Sequence, residues 1–125
     1  MCNNNGNCIA EILEKILLLQ QIDNSNIVGC NKPFLGELSG INANTRPINM
    51  YCCCTGDIWT MTYNYNGTEG ESTVFRIESI NDNCATFRIL IANGDSYTAT
   101  DNYFTINLDY VSCIKCLQDT LIINI

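Results

Sequence analysis

The chain contains no histidine, and that single absence removes several kinds of chemistry. Ser-His-Asp and Cys-His catalysis both depend on an imidazole titrating near neutrality. Zinc sites that include histidine are excluded as well. Basic residues are also scarce: six Lys and Arg stand against 13 Asp and Glu, for a net charge of −7. The six (Lys15, Lys32, Arg46, Arg76, Arg88 and Lys115) are scattered along the chain. A nucleic-acid binder clusters such residues to displace counterions from phosphates, and an anionic membrane surface makes the same demand. Neither nucleic acid nor membrane is therefore expected as a partner. Long hydrophobic runs are missing too. The longest, "KILLLQQI", is far too short to span a bilayer. The opening "MCNNNGNC" lacks a basic n-region, an apolar h-region and a small-residue cleavage site, so no secretory signal is expected. No Gly-rich phosphate loop of the P-loop or Rossmann type occurs, and there is no internal repeat, low-complexity tract or linker.

What the chain does have is cysteine, nine in 125 residues. A domain of this length, 46% hydrophobic and 15% charged, can bury a sufficient core without disulfides. The thiols are surplus to ordinary stability. Such usage suits an oxidising final environment, which conflicts with a missing export signal. A structure built inside a cell that later lyses satisfies both.

Residues 1–7, "MCNNNGN", read as a flexible arm carrying a thiol. Residues 8–125 read as a single β-sandwich domain that begins with a helix. Asn7 is placed to N-cap that helix, with Glu11 and Glu14 near its positive end. Ile9, Ile12, Leu13, Ile16 and Leu17 follow the i, i+3, i+4 spacing of one apolar face, predicting a helix over about 8–21 that the "DNSN" cluster stops. Short β-prone runs separated by turn residues follow: "KPFLGEL", "TRPINMYCCC", "DIWTMTYNY", "TVFRIESI", "CATFRILIA", "YTAT", "YFTINLDY", "VSCIKCLQD" and the terminal "TLIINI". "NGTEGES" reads as a polar loop. Phe75 and Ile77 alternate with Arg76 and Glu78, and Phe87, Ile89 and Ile91 with Thr86 and Arg88, as in strands with one buried face. The terminal run is expected to be a strand that closes an edge or pairs with another subunit. The predicted fold is mainly β, an antiparallel, jelly-roll-like β-sandwich with one N-terminal α-helix.

The sites that bear chemistry are nearly all thiols. Carboxylates such as Glu69 and Glu71 lie in the polar run, and neither they nor Asp82 or Asp95 form a ligand-spaced calcium loop. "CIKC" (Cys113–Cys116) matches C-x-x-C, which serves redox pairs, tetrathiolate zinc sites and structural disulfides. A redox pair belongs at a helix N-terminus in a βαβ setting, whereas this one follows strands. Zinc would need a second C-x-x-C. The run Cys52, Cys53, Cys54 could supply further ligands, giving an alternative metal-thiolate module of Cys52, Cys53, Cys54, Cys113 and Cys116. A small thiol-redox protein is the weaker alternative. In an extended strand Cys52 and Cys54 face one way and Cys53 the other, and a disulfide between adjacent cysteines is strained. The run is therefore expected to look outward for partners. Nine is odd, so at least one cysteine cannot pair within the chain. Cys2 is the best placed to leave it, on an arm reaching roughly 20 Å.

Five segments, "CIAEILEKILLLQQ", "GCNKPFLG", "NTRPINMY", "FRIESINDNCATFRIL" and "CIKCLQD", resemble in order the cysteine-rich spore coat and exosporium proteins of the CotY/CotZ/ExsY family. The resemblance runs from about Cys8 to Asp119. It implies a non-enzymatic subunit of the endospore surface, made in the mother-cell cytoplasm and self-assembling into disulfide-reinforced arrays. It also implies that the partners are copies of the chain itself and other coat proteins. Cys8, Cys30, Cys84 and Cys116 fall where the family pattern has cysteine, and Cys113 fits with a one-residue shift. The run Cys52–Cys54 stands outside that pattern. The chain is shorter than its relatives and lacks the histidines of their N-terminal arm, which implies a different array geometry, for example a fibre. All nine cysteines (Cys2, Cys8, Cys30, Cys52, Cys53, Cys54, Cys84, Cys113 and Cys116) are candidate disulfide or cross-linking residues. No catalytic residue, metal or cofactor is expected.

Overall fold

A computed structural model of the protein describes residues 8–21, 43–123 and 125. The expected arm over 1–7, the expected strand in "KPFLGEL", the "DNSN" helix stop, Cys2 and Cys30 all lie outside the described residues. Helix α1 spans Cys8–Gln21, as its apolar spacing predicts. Ile9, Leu13, Ile16 and Leu19 are buried, while Ile12 and Leu17 flank them half-buried. This face packs on β4 (Val74–Asn81) and β7 (Val111–Cys116). Each fully buried Leu or Ile contributes about 1.5–3 kcal/mol, so α1 is fastened by its apolar stripe.

The remaining strands are β1 (Ile48–Cys52), β2 (Met61–Tyr65), β3 (Thr68–Ser72), β5 (Cys84–Asn93) and β6 (Ser96–Asn107). The protein is mainly β, with two antiparallel sheets and one N-terminal helix, a sandwich-like arrangement of unequal layers. The larger sheet has the order β6-β5-β4-β1-β7, and β2-β3 forms the smaller one. Asn102 ties the smaller sheet to β6: its side-chain carbonyl accepts from the Asn64 N–H at 2.7 Å, and its amide donates to the Asn64 carbonyl at 3.2 Å. β1 meets β4 at a single register pair, Ile48 opposite Phe75. The β1–β7 ladder is much longer, running from Ile48 opposite Cys116 to Cys52 opposite Val111.

The main core gathers α1, Ile48, Met50, Ile77, Ile89 and Val111 around an aromatic group. Phe104 lies 5.0 Å from Phe75, edge-on, and 5.6 Å from Phe87, stacked, separations at which aromatic pairs attract beyond their buried area. Arg76 and Arg88 stand directly opposite across β4 and β5, a like-charge placement that would repel. Glu78 sits between them, 2.7 Å from Arg76 and 3.4 Å from Arg88, and the Arg88 guanidinium also lies over the Tyr103 ring.

Four expectations are corrected. "NGTEGES" is not a loop: Asn66 and Gly67 both take positive φ, 54° and 81°, the geometry of a two-residue hairpin turn for which Asn-Gly is suited. The polar residues after it pair as β3. "YTAT" and "YFTINLDY" are largely one strand, β6, continued through "DN", with Leu108–Tyr110 turning as a 3-10 helix. Alternation in β5 breaks between Arg88 and Leu90, so Ile89 and Leu90 are both buried and Ile91 is not. Finally, "TLIINI" contains no strand among its described residues. Thr120 makes one bridge to Thr45, and the backbone of Ile122 is held by the Asn44 side chain instead, accepting at 3.0 Å and donating at 3.0 Å.

Candidate cross-linking site

The β1–β7 ladder has two chemically different ends. At the Ile48 end, Arg46 and Asp119 form a two-pronged ion pair, Nε to Oδ1 at 2.6 Å and Nη2 to Oδ2 at 2.8 Å. Both side chains are almost wholly buried, at 2% and 1% exposure. Arg76 reaches the same place, donating to Thr45 Oγ1 at 2.9 Å and to the Asn44 carbonyl at 3.2 Å. The Gln20 side chain accepts from the Arg46 N–H and donates to the Ile77 carbonyl. Leu117 donates to the Pro47 carbonyl at 2.8 Å. "NTRP", "FRIES" and "CLQD", far apart in sequence, thus meet in one polar lock.

At the Cys52 end the residues are thiols. β1 stops at Cys52, and residues 53–55 turn. Gly56, at φ 77°, donates to the Cys52 carbonyl at 2.8 Å, while the Cys52 N–H donates to the Asp57 carbonyl at 2.8 Å. The alternation expected of three strand cysteines therefore fails after the first, because the chain reverses. The Cys53 N–H donates to the Tyr110 carbonyl at 2.9 Å. Cys113 lies opposite Tyr51 on β7, beside Cys52. Cys84 lies opposite Asn107, next to Asn83, whose amide donates to the Asp109 carboxylate at 2.6 Å. Asp109 in turn places its carbonyl 3.3 Å from the Cys53 sulfur. Cysteines 52, 53, 54, 84 and 113 thus share one end of the molecule.

Their states differ. Cys8, Cys52, Cys84 and Cys113 are free thiols, whereas Cys53 and Cys116 are disulfide-bonded. These two are not bonded to each other. Cys53 is tied to Tyr110, and six strand residues, roughly 20 Å, separate that position from Cys116, well beyond disulfide reach. Because a disulfide sulfur has no proton to give, the Asp109 carbonyl contact is a sulfur–oxygen approach and not a hydrogen bond. The Cys54 sulfur lies 3.9 Å from the Cys53 sulfur. The Cys52 thiol is lowered from its ordinary pKa, chiefly by backbone N–H donation from Cys54 and then from Thr55, with slight burial opposing.

This geometry disfavours both alternative uses of the thiols. Cys113 and Cys116 lie on one extended strand, with Cα atoms about 10 Å apart and side chains on opposite faces. They form neither a chelate nor a redox pair with each other. Among the described residues no group of three or more Cys, Asp or Glu is placed to hold a metal ion. No helix among them is long and apolar enough to cross a membrane.

The described residues thus form a β-domain with a buried polar lock at one end and exposed thiols at the other. The sequence profile of the family described as spore coat protein Z matches residues 2–103. The chain belongs to that family, which places it at the spore surface in a structural role. "CIKCLQD" lies beyond the matched residues. No curated protein and no solved structure matches the chain. What reading the sequence missed is the Arg46–Asp119 pair. Its only signal was an arginine in "NTRP" and an aspartate in "CIKCLQD", two of the segments that carry the family resemblance.

Proposed function

We propose that the chain is a subunit of the endospore coat or exosporium that assembles with copies of itself, and alongside other coat proteins, into an ordered array or fibre reinforced by disulfides between subunits. The observation that carries this reading is the exposure of three free thiols: Cys8, Cys84 and Cys113. Unpaired cysteine is ordinarily among the most buried of residues, so exposed free thiols on a structural protein point to bonds made with other chains. Non-covalent packing must come first, because a disulfide forms only when the two Cα atoms stand about 4.4–6.8 Å apart. Apolar side chains suited to such packing are exposed, among them Tyr110 beside the thiols and Leu121 and Ile123 near the C-terminus. Synthesis in the mother-cell cytoplasm followed by lysis would supply the change from reducing to oxidising surroundings.

Gels of assembled material run with and without reductant test this reading. A ladder that collapses on reduction supports it, while monomers alone under both conditions, with no assemblies by electron microscopy, contradict it. A variant with serine at the exposed free positions is expected to assemble still, but to lose resistance to heat and reductant. If assembly disappears in that variant, covalent bonding drives it and the proposed order of events is wrong.

A further inference from the structure

Two exposed free thiols, Cys84 and Cys113, sit in surroundings of opposite charge. Cys113 lies on β7 two residues from Lys115, and strand alternation puts both on one face, opposite Tyr51 and Asn49 of β1. Lys115 is exposed and makes no ion pair among the described residues. Cys84 opens β5 directly after the turn from β4, across which Asn81 pairs with Cys84. Asp82 is exposed on that turn, at φ 56°. Asn83, next to it, holds the Asp109 carboxylate at 2.6 Å. Arg88, further along β5, is taken up by Glu78 and by the Tyr103 ring. One thiol therefore has an unpaired cation for a neighbour, and the other has two carboxylates.

At a net charge of −7, two copies of the chain repel one another in most orientations. A contact that sets Lys115 of one copy against Asp82 and Asp109 of a second escapes that repulsion. Charge complementarity of this kind fixes orientation and register more than it adds affinity, and register is what a disulfide needs. Contacts between like sites lack it. Cys84 against Cys84 crowds carboxylates together, and Cys113 against Cys113 crowds lysines together.

We propose that the disulfide between copies joins unlike thiols, Cys113 of one copy to Cys84 of a second, guided by Lys115 docking against Asp82 and Asp109. The proposal deepens the assembly described above and rests on it. Each copy carries both halves of the contact, so the contact can repeat from copy to copy. The oxidant is a small-molecule disulfide, represented in the test by glutathione disulfide. The Cys113 thiolate attacks one glutathione sulfur, forming a mixed disulfide and releasing one glutathione thiolate. The Cys84 thiolate of the docked copy then attacks the Cys113 sulfur, forming the bond between copies and releasing the second glutathione. Two protein thiols are oxidised and one glutathione disulfide is reduced. The protons given up by the two cysteines end on the two glutathiones.

The test mixes equal amounts of the full chain with and without nitrogen-15 label and adds glutathione disulfide. Samples are quenched in acid, alkylated with N-ethylmaleimide, digested and mapped by mass spectrometry. Peptide pairs that join labelled to unlabelled halves report bonds between copies. Random collision makes the Cys84–Cys113 yield equal to the Cys84–Cys84 and Cys113–Cys113 yields combined. The expected result is a Cys84–Cys113 yield about threefold or more above that sum at low salt. The excess should shrink as salt rises from about 0.01 M to about 1 M, where the Debye length falls from about 30 Å to about 3 Å. Lys115→Glu should abolish the excess. Asp82→Asn, which suits the positive φ of the turn, should reduce it by a smaller factor. A Cys84–Cys113 yield no greater than the sum of the like pairs, or an excess that survives Lys115→Glu, would overturn the proposal. Bonds between copies made only through other cysteines would overturn it too, while leaving the assembly standing. No bond between copies of any kind would contradict the assembly itself, and this proposal with it.

Discussion

The two ends of the β1–β7 ladder spend their polar chemistry in opposite ways. At the Ile48 end a buried arginine and aspartate satisfy one another, and Asn44, Thr45, Arg76 and Gln20 close around them. None of these side chains is exposed. At the Cys52 end, sulfurs are exposed on a turn, on β7 and at the β4–β5 hairpin, and the fold makes little use of most of them. The difference teaches that stability and reactivity are separated along one ladder: the polar lock sits at one end and the exposed thiols at the other.

The comparison breaks most severely at Asp119. Replacing it by alanine removes the carboxylate paired with the buried Arg46, and the expected loss is about 3–5 kcal/mol of unfolding free energy by urea titration. A loss below about 1 kcal/mol would mean that water reaches Arg46 and that the lock is not what holds this end. Next in size is Asn44→Ala, which removes both hydrogen bonds to the Ile122 backbone. It should cost about 1–2 kcal/mol and speed hydrogen exchange at the Ile122 amide, and unchanged exchange there would show that the terminal segment is held by other means.

At the thiol end the expected effects are on reactivity. Because its pKa is lowered in the fold, Cys52 should reach its thiolate form at lower pH in the folded chain than in the urea-unfolded one. Its alkylation rate should therefore rise earlier as pH increases, and the advantage should fade in acid, where the proton returns. Identical pH profiles in the two states would show that the Cys54 and Thr55 N–H groups do not hold the sulfur in solution. The smallest effect is expected for Cys84→Ser and Cys113→Ser, each within about 0.5 kcal/mol of wild type in stability. A larger loss would make these thiols part of the fold, and the separation of the two ends would fail.

How far the sequence could be read depended on whether the governing interaction was local. Helix α1 was legible to its ends, because the spacing of Ile9, Leu13 and Ile16 is a local signal of a buried face. The alternation of Phe75, Arg76, Ile77 and Glu78 was legible for the same reason. The β2–β3 hairpin was missed although Asn66-Gly67 announced it, because β3 is polar and only pairing makes it a strand. The reversal after Cys52 and the single β6 arise from register with distant strands, which no window contains. Much the same holds for the site: the surplus of thiols was plain, but the convergence of Arg46 with Asp119, and of Cys53 with Tyr110 and Asp109, exists only once β1 and β7 are paired.

The most direct test of the account is an electron micrograph of the purified chain at neutral pH, taken before and after reductant and again after heating. If the thiols reinforce an assembly that packing has already built, ordered arrays or fibres will be present before reduction, will persist after it, and will then be lost on heating that the oxidised material survives. Dispersed monomers before reduction, or ordered material equally resistant to heat with and without reductant, would contradict it.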